Sequence, residues 1–156
     1  MIGLDTNVLV RYLTLDDPRQ SPRAVEILEH QLTEDEPGFV SAVVLAELSW
    51  VLARSYRWDR NTIAATIDLL LSADRLVIEH PVAAKAAASA MLEDDADFSD
   101  ALIGAIAAAA GCPYTVTFDR RAQRLSTFQA PRLRPCAPRS GRTIAPATLA
   151  GPPGSG

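Results

Sequence analysis

The sequence predicts an α/β fold, a three-layer sandwich with a central, mainly parallel sheet. Short apolar segments with β-branched and aromatic residues alternate along the chain with longer segments of helical periodicity. This order is typical of parallel sheets flanked by helices. The 156 residues are enough for one domain with a substantial core and too few for two ordinary ones. We therefore expect one domain over residues 1–130, followed by a tail over 131–156.

Residues that start or stop regular structure bound the predicted elements. Ser21-Pro22 combines an N-cap with a first-turn proline, and Ser41 and Asp59 are N-caps before apolar helical segments. Gly111 follows a helical segment where a left-handed residue commonly ends a helix. The predicted order is a buried strand at 2–5, helices at 6–15 and 21–32, a strand at 39–40, helices at 42–54 and 60–72, a strand at 76–79, helices at 81–92 and 98–110, a strand at 114–118 and a short basic helix from 119.

The charge of the chain is distributed unevenly. The formal net charge is −4, but all 19 acidic residues lie at or before Asp119. Residues 1–119 therefore carry 8 basic against 19 acidic residues, a balance of −11, and seven arginines follow. With this net negative charge, residues 1–119 cannot attract a polyanion by overall electrostatic attraction. A nucleic-acid substrate would need metal ions and local arginine contacts.

The sequence indicates neither secretion nor a membrane span. A basic segment followed by an apolar stretch is missing at the N-terminus. The longest apolar run, Ala101–Ala110, is about half of what a membrane span requires. Neither Cys112 nor Cys136 has the spacing of a metal site. We expect a cytoplasmic protein whose tail, rich in proline, glycine and arginine, is mobile.

Four aspartates stand where a site is expected. Asp5 and Asp119 follow predicted strands, and the C-terminal edge of a parallel sheet is where open α/β folds bind ligands. Asp97 and Asp100 lie three residues apart at a predicted helix start, so they project from one face. Each aspartate alone is also consistent with an N-cap or a favourable first-turn charge. Together they favour a shared site.

Glu47 is expected to be a buried carboxylate that faces this site. Its helical neighbours are mostly apolar, and burying an isolated charge is costly. The alternative is that Glu47 faces water beside Ser49 or Arg54. The apolar residues of the first helices could form a groove for a partner helix, or most of them could belong to the core: Tyr12, Leu13, Trp50, Leu52, Tyr56 and Trp58. We expect Trp50 and Leu13 in the core, whereas Trp58, in a predicted loop, is the best candidate for an exposed anchor.

Carboxylates gathered in this way favour a bound divalent cation, because they repel one another without it. The donors are oxygens, and no histidine or cysteine cluster accompanies them. This chemistry indicates Mg²⁺ or Mn²⁺ rather than zinc. Such an ion can activate water and stabilise a transferring phosphoryl group.

Four segments resemble the motifs of PIN domains of the bacterial VapC toxins. The first runs from Asp5 (DTNVLVRYL) and the second contains Glu47 (LAELSWVL). The third holds Asp97 and Asp100 (DFSDALI), and the fourth contains Asp119 (TFDRR). Their order, spacing and apolar flanks agree over residues 1 to about 129. Each motif alone is weak, but four in order are specific.

The resemblance implies a PIN fold and an Mg²⁺- or Mn²⁺-dependent endoribonuclease. It also implies an RNA substrate, a homodimer and a cognate VapB-type antitoxin that places an arginine near the carboxylates. The fourth acidic position often acts through water in this family. The implied site consists of the metal ligands Asp5, Glu47, Asp97, Asp100 and Asp119, of which all but Asp97 are catalytic, and of the supporting residues Thr6, Asn7, Asp97 and Thr117.

Several alternatives remain beside this interpretation. Arg11, Arg120 and Arg121 are candidates for phosphate contacts, and they fit solvated helix charges equally well. A phosphatase of the haloacid-dehalogenase type expects a second aspartate where Asn7 stands, and a response-regulator receiver expects its aspartate later in the chain. A catalytically silent PIN-type binding module is harder to exclude, although an unused carboxylate cluster would carry repulsion without benefit.

Overall fold

The computed structural model describes residues 1–132. Over this range there are six α-helices and five short strands, and the sequence predicts all six helices and the first four strands. Their bounds are β1 Ile2–Gly3, α1 Thr6–Thr14, α2 Ser21–Val25 with a π-helical continuation at Glu26–Gln31, β2 Gly38–Val40, α3 Ala42–Arg54, α4 Arg60–Leu71, β3 Leu76–Ile78, α5 Pro81–Glu93, α6 Phe98–Ala109, β4 Thr115–Val116, a 3₁₀ turn at Ala122–Arg124, and β5 Phe128–Gln129. The predicted mobile tail lies outside the described residues except for positions 131 and 132.

Every strand pair in the described range is parallel. β2 lies between β1 and β3, with Gly38 opposite both Ile2 and Leu76. β4 pairs with β5, with Thr115 opposite Phe128. The α/β fold with parallel pairing is therefore confirmed. The strands form a three-stranded and a two-stranded sheet.

The first strand differs from its prediction. The residues of β1 are exposed, and Ile2 keeps 51% of its surface accessible, so the prediction of a buried strand is wrong. β1 is an edge strand of its sheet and pairs with β2 on one side. Burial begins only at Leu4, which belongs to the core.

The core lies between the strands and the helices. From α3 it takes Leu45, Leu48 and Leu52, all fully buried, and from β2 it takes Val40. The buried side chains on α5 are mostly alanines, and this helix packs against both α4 and α6. Small side chains allow that close packing. No helix among residues 1–132 combines the length and the apolar character that crossing a bilayer demands.

Most helix ends follow from local chemistry. Ser41 Oγ accepts a hydrogen bond from the Val44 amide at 3.3 Å, and Asp59 Oδ1 accepts one from the Thr62 amide at 2.9 Å, so these two predicted N-caps are confirmed. The predicted N-cap Ser21 is wrong, because Ser21 is the first residue of α2 and its side chain makes no capping bond. Gly111 has φ +89°, the left-handed conformation expected after a helix. The short basic helix predicted from residue 119 is only a 3₁₀ turn that starts three residues later.

Candidate active site

Asp5 and Glu47 belong to one group of side chains, joined by Thr6. Asp5 caps α1: its Oδ1 accepts from the Thr6 amide at 2.9 Å and its Oδ2 accepts from Asn7 Nδ2 at 2.7 Å. The buried Thr6 hydroxyl donates to Glu47 Oε2. The start of α1 is thereby tied to the middle of α3, with Thr6 and Asn7 both hydrogen-bonded to the carboxylates.

Glu47 is exposed rather than buried, which corrects the prediction. Its neighbours on the same face of α3 are exposed as well, Val43 by 75% and Trp50 by 55%. The opposite face of α3 supplies fully buried leucines to the core. Because α3 has apolar residues on both faces, apolar neighbours did not indicate burial, and the prediction of Trp50 as a core residue fails for the same reason.

The other three carboxylates line one cavity of about 240 Å³. Asp97 caps α6, with Oδ1 accepting from the amides of Ser99 at 2.9 Å and Asp100 at 3.4 Å. Asp119 Oδ1 accepts from the Arg121 amide at 2.7 Å. The capping role that was the alternative is therefore present for Asp97, whereas Asp119 accepts from an amide in the turn before the 3₁₀ segment and caps no helix. These bonds fix the carboxylates at the cavity wall.

Asp100 is the residue of this cavity whose pKa is raised by its surroundings. Its carboxylate is partly buried and accepts no hydrogen bond from residues 1–132. Burial raises the pKa of Asp100, and the nearby charges of Asp97 and Asp119 raise it further, while Arg121 opposes them. A carboxylate crowded by like charge is poised to accept a cation. Clusters of this kind are frequent at functional sites.

The two groups adjoin across the packing of α3 on α6. Ser99 Oγ donates to the Ala46 carbonyl at 3.4 Å, so the residues directly before Asp100 and Glu47 touch. In the described part of the chain, no three side chains of the histidine, cysteine, aspartate and glutamate types stand close enough to hold a metal ion. The all-oxygen donor set fits a hard divalent cation by its chemistry. To share one ion, the two groups would have to approach each other.

Thr117 supports the loop that carries Asp119. Its hydroxyl accepts from the Asp119 amide at 3.0 Å, and its carbonyl accepts from Gln123 Nε2 at 3.0 Å. These two bonds close the turn after β4 and direct Asp119 to the cavity.

The arginines differ in their access to the cavity. Arg121 lines it, whereas Arg120 is exposed outside its lining. Arg11 is engaged elsewhere, in an ion pair with Asp16 at 2.7 Å. Arg60, which sequence reasoning missed, also lines the cavity. Nothing local marks Arg60, because it stands in the first turn of a capped helix and reaches the cavity only through the fold.

Comparison with known proteins places these observations in a family. The family profile described as PIN domain matches residues 2–127, a range that contains both carboxylate groups. Neither the curated proteins nor the solved structures contain a match to the chain.

Proposed function

The chain belongs to the PIN domain family, and from this premise we propose that it is a metal-dependent endoribonuclease that hydrolyses RNA phosphodiester bonds. PIN domains form a superfamily of nuclease type. The observation that carries the proposal is the cavity in which Asp100 is crowded by Asp97 and Asp119, with arginines in its wall. Such a cavity suits a cation and the phosphate that the cation attracts.

The carboxylates and the arginines have different roles in the proposed reaction. Mg²⁺ or Mn²⁺ held by the carboxylates would offset phosphate charge and make water a better nucleophile. Asp100 and Asp5 are the principal ligands in the proposal, with Glu47 held ready by the Thr6 hydroxyl. Asp97 and Asp119 complete the acidic wall. Three arginines of the described residues line the cavity and would contact phosphate oxygens, namely Arg60, Arg121 and Arg124.

Single-turnover cleavage of structured RNA, with Mg²⁺ or with a chelator, tests the proposal. The Asp5→Asn variant should lose cleavage, because asparagine still caps a helix but binds a cation poorly. Asp68→Asn is the matched control, since Asp68 pairs with Lys85 on the surface of α4 and lies outside both carboxylate groups. Cleavage that survives both the chelator and Asp5→Asn would refute a metal-dependent reaction.

A catalytically silent PIN-type module is the second candidate. The geometry favours it, because no three carboxylates among residues 1–132, within either group or across both, stand close enough to hold one metal ion. A silent module would bind RNA or a protein and leave RNA intact at any Mg²⁺ or Mn²⁺ concentration. The same single-turnover experiment decides between the two candidates.

We further propose a VapC-type toxin role in the cytoplasm, as a homodimer held in check by a cognate VapB-type antitoxin. The proposal that a partner segment binds is supported by a mostly apolar groove of about 380 Å³. Its apolar lining comes from α1, the π-helical continuation of α2, α4 and β3, and includes Tyr12, Leu13, Leu28, Leu70 and Leu76. Overexpression without a partner should arrest growth, and Asp100→Asn should relieve the arrest. Harmless overexpression of the unmodified chain would contradict the toxin role.

A further inference from the structure

A second cavity, of about 630 Å³, adjoins the carboxylate cavity. It lies between the end of α3, the start of α4 and the loop before α6. Both tryptophans of the chain line it. We call it the tryptophan groove and define it by Trp50, Arg54, Trp58, Arg60, Asn61 and Phe98.

The tryptophan groove is continuous with the carboxylate cavity. Arg60, Ala96 and Asp97 line both. A polymer with one phosphate at the carboxylates would therefore place its neighbouring residues in the groove. The Arg60 guanidinium stands at the junction, where it pairs with Asp95 at 2.5 Å and donates to the Ala96 carbonyl at 3.3 Å.

The groove offers a surface on which a flat ring can stack. Trp50 is 55% exposed, which is unusual for so large an apolar side chain. The Arg54 guanidinium lies 5.9 Å from the Trp50 ring centroid, one helical turn away. Indole rings and guanidinium planes are the surfaces on which unpaired bases stack. The Asn61 amide, exposed in the first turn of α4, can donate to and accept from a base edge.

The groove is less acidic than the rest of the body. Residues 1–119 carry 19 acidic and 8 basic residues, whereas the groove lining has two arginines, Arg54 and Arg60, and two aspartates, Asp59 and Asp97. Arg54 forms no ion pair with the described residues. The Arg60–Asp95 pair is exposed, so a phosphate can compete for Arg60 at little cost.

We propose that the tryptophan groove binds an unpaired RNA nucleotide next to the scissile phosphate and so selects which RNA segment is cut. This inference rests on the proposed nuclease function and assigns its specificity. Trp50 supplies the stacking surface and Asn61 the contact to the base edge. Arg60 holds the connecting phosphate. The groove requires a base outside a duplex, so it selects single-stranded loops and ends over paired RNA.

Binding to the full chain carrying Asp100→Asn tests the groove without cleavage. Short single-stranded oligoribonucleotides are titrated, and affinity is read by anisotropy and by tryptophan fluorescence, which reports only on this groove. Adding Trp50→Ala should weaken binding about tenfold or more, whereas Trp50→Phe should retain most of the affinity. Val82→Ala, which truncates an apolar residue 83% exposed on α5, should change nothing. Duplex RNA should leave the fluorescence unquenched.

The outcomes separate the groove from the proposed function. If Trp50→Ala weakens binding but the unmodified chain cleaves no RNA, the nuclease proposal fails and the groove stands. If the unmodified chain cleaves and Trp50→Ala changes neither affinity nor the preferred cleavage position, the groove proposal is overturned. It is also overturned if Trp50→Ala alters only the oligomeric state in sedimentation, which would make the groove a protein interface.

Discussion

Asp16 and Asp100 are the same residue type in opposite surroundings. The Asp16 carboxylate accepts hydrogen bonds from the Tyr56 hydroxyl at 2.7 Å, from Arg11 Nη1 at 2.7 and 2.8 Å and from Thr14 at 2.9 Å. These bonds, the one from Tyr56 first, lower its pKa to about 2. The Asp100 carboxylate has no such donor among the described residues, and burial and like charges raise its pKa.

The comparison shows that a carboxylate with hydrogen-bond donors stabilises the fold, whereas a partly buried carboxylate without donors destabilises it. Asp16 stabilises the link between the end of α1 and Tyr56, two residues after α3, and its carboxylate is fully hydrogen-bonded within the fold. Asp100 works against the fold, since folding partly buries it beside two other carboxylates. A fold that retains such repulsion does so at a functional site more often than elsewhere.

The largest expected effect is on catalysis by Asp100. The Asp100→Asn variant should lose more than about a hundredfold in RNA cleavage, because cation-assisted stabilisation is worth several kcal/mol. Its melting temperature should rise or stay unchanged, because a destabilising charge is removed. Single-turnover rates and thermal unfolding measure the two sides. If the Asp100→Asn variant melts at a lower temperature and still cleaves RNA, then Asp100 stabilises the fold as Asp16 does, and the difference between the two residues is contradicted.

The next largest expected effect is a loss of stability when the packing of α6, the helix that carries Asp100, is disturbed. A methyl group at Gly104 would meet Thr127 Oγ1 and lie 2.8 Å from Phe128 Cε2 in β5. Overpacking costs about 1–3 kcal/mol, and the helix propensity gained by alanine offsets about 1 kcal/mol of that. Gly104→Ala should therefore unfold at lower urea concentration, whereas Gly3→Ala, which meets nothing within 4 Å, should not. Equal midpoints would contradict the close packing.

Asp16 gives a pH-dependent effect of opposite sign to that of Asp100. Its folded pKa, about 2, lies below the ordinary value of 3.8, so its stabilisation is present above about pH 4 and is lost as the pH falls toward 2. Asp16→Asn should lower the melting temperature at pH 7 and have little effect near pH 2. A melting-temperature difference that stays constant over this range would show that the Asp16 pairing does not shift its pKa.

The smallest effect belongs to Tyr56→Phe. It removes one donor from Asp16 and leaves the pair with Arg11 in place. The Asp16 carboxyl should then titrate at a higher pH, closer to 3.8, in a side-chain NMR titration, while the direction for Asp100 stays upward. An unchanged Asp16 titration would assign its shift to Arg11 and Thr14.

The sequence predicted what local chemistry decides. N-caps, the left-handed Gly111 and the helices between them depend on neighbouring residues, and they were placed within a few positions. The two-residue strand β5 was missed because Phe128-Gln129 is too short for any periodicity to appear. Compared with its predicted range, β1 is shorter at its C-terminal end, and β2 is longer by one residue at its N-terminal end.

The candidate site was predicted in its members but not in their surroundings. The motif resemblance identified the five carboxylates, and the fold supplies the grouping into two sets, which no spacing reveals. The exposure of Glu47 and Trp50 depends on which face of α3 the core takes. Arg60 reaches the carboxylate cavity from a different helix, so its role depends on tertiary structure alone.

Titration calorimetry of Mn²⁺ into the full chain tests the central claim most directly, namely that the carboxylates around Asp100 bind a divalent cation. The unmodified chain should bind Mn²⁺ saturably, Asp16→Asn should bind it equally well, and Asp100→Asn should lose that binding. Equal binding by the unmodified chain and by Asp100→Asn, or none by either, would contradict the claim.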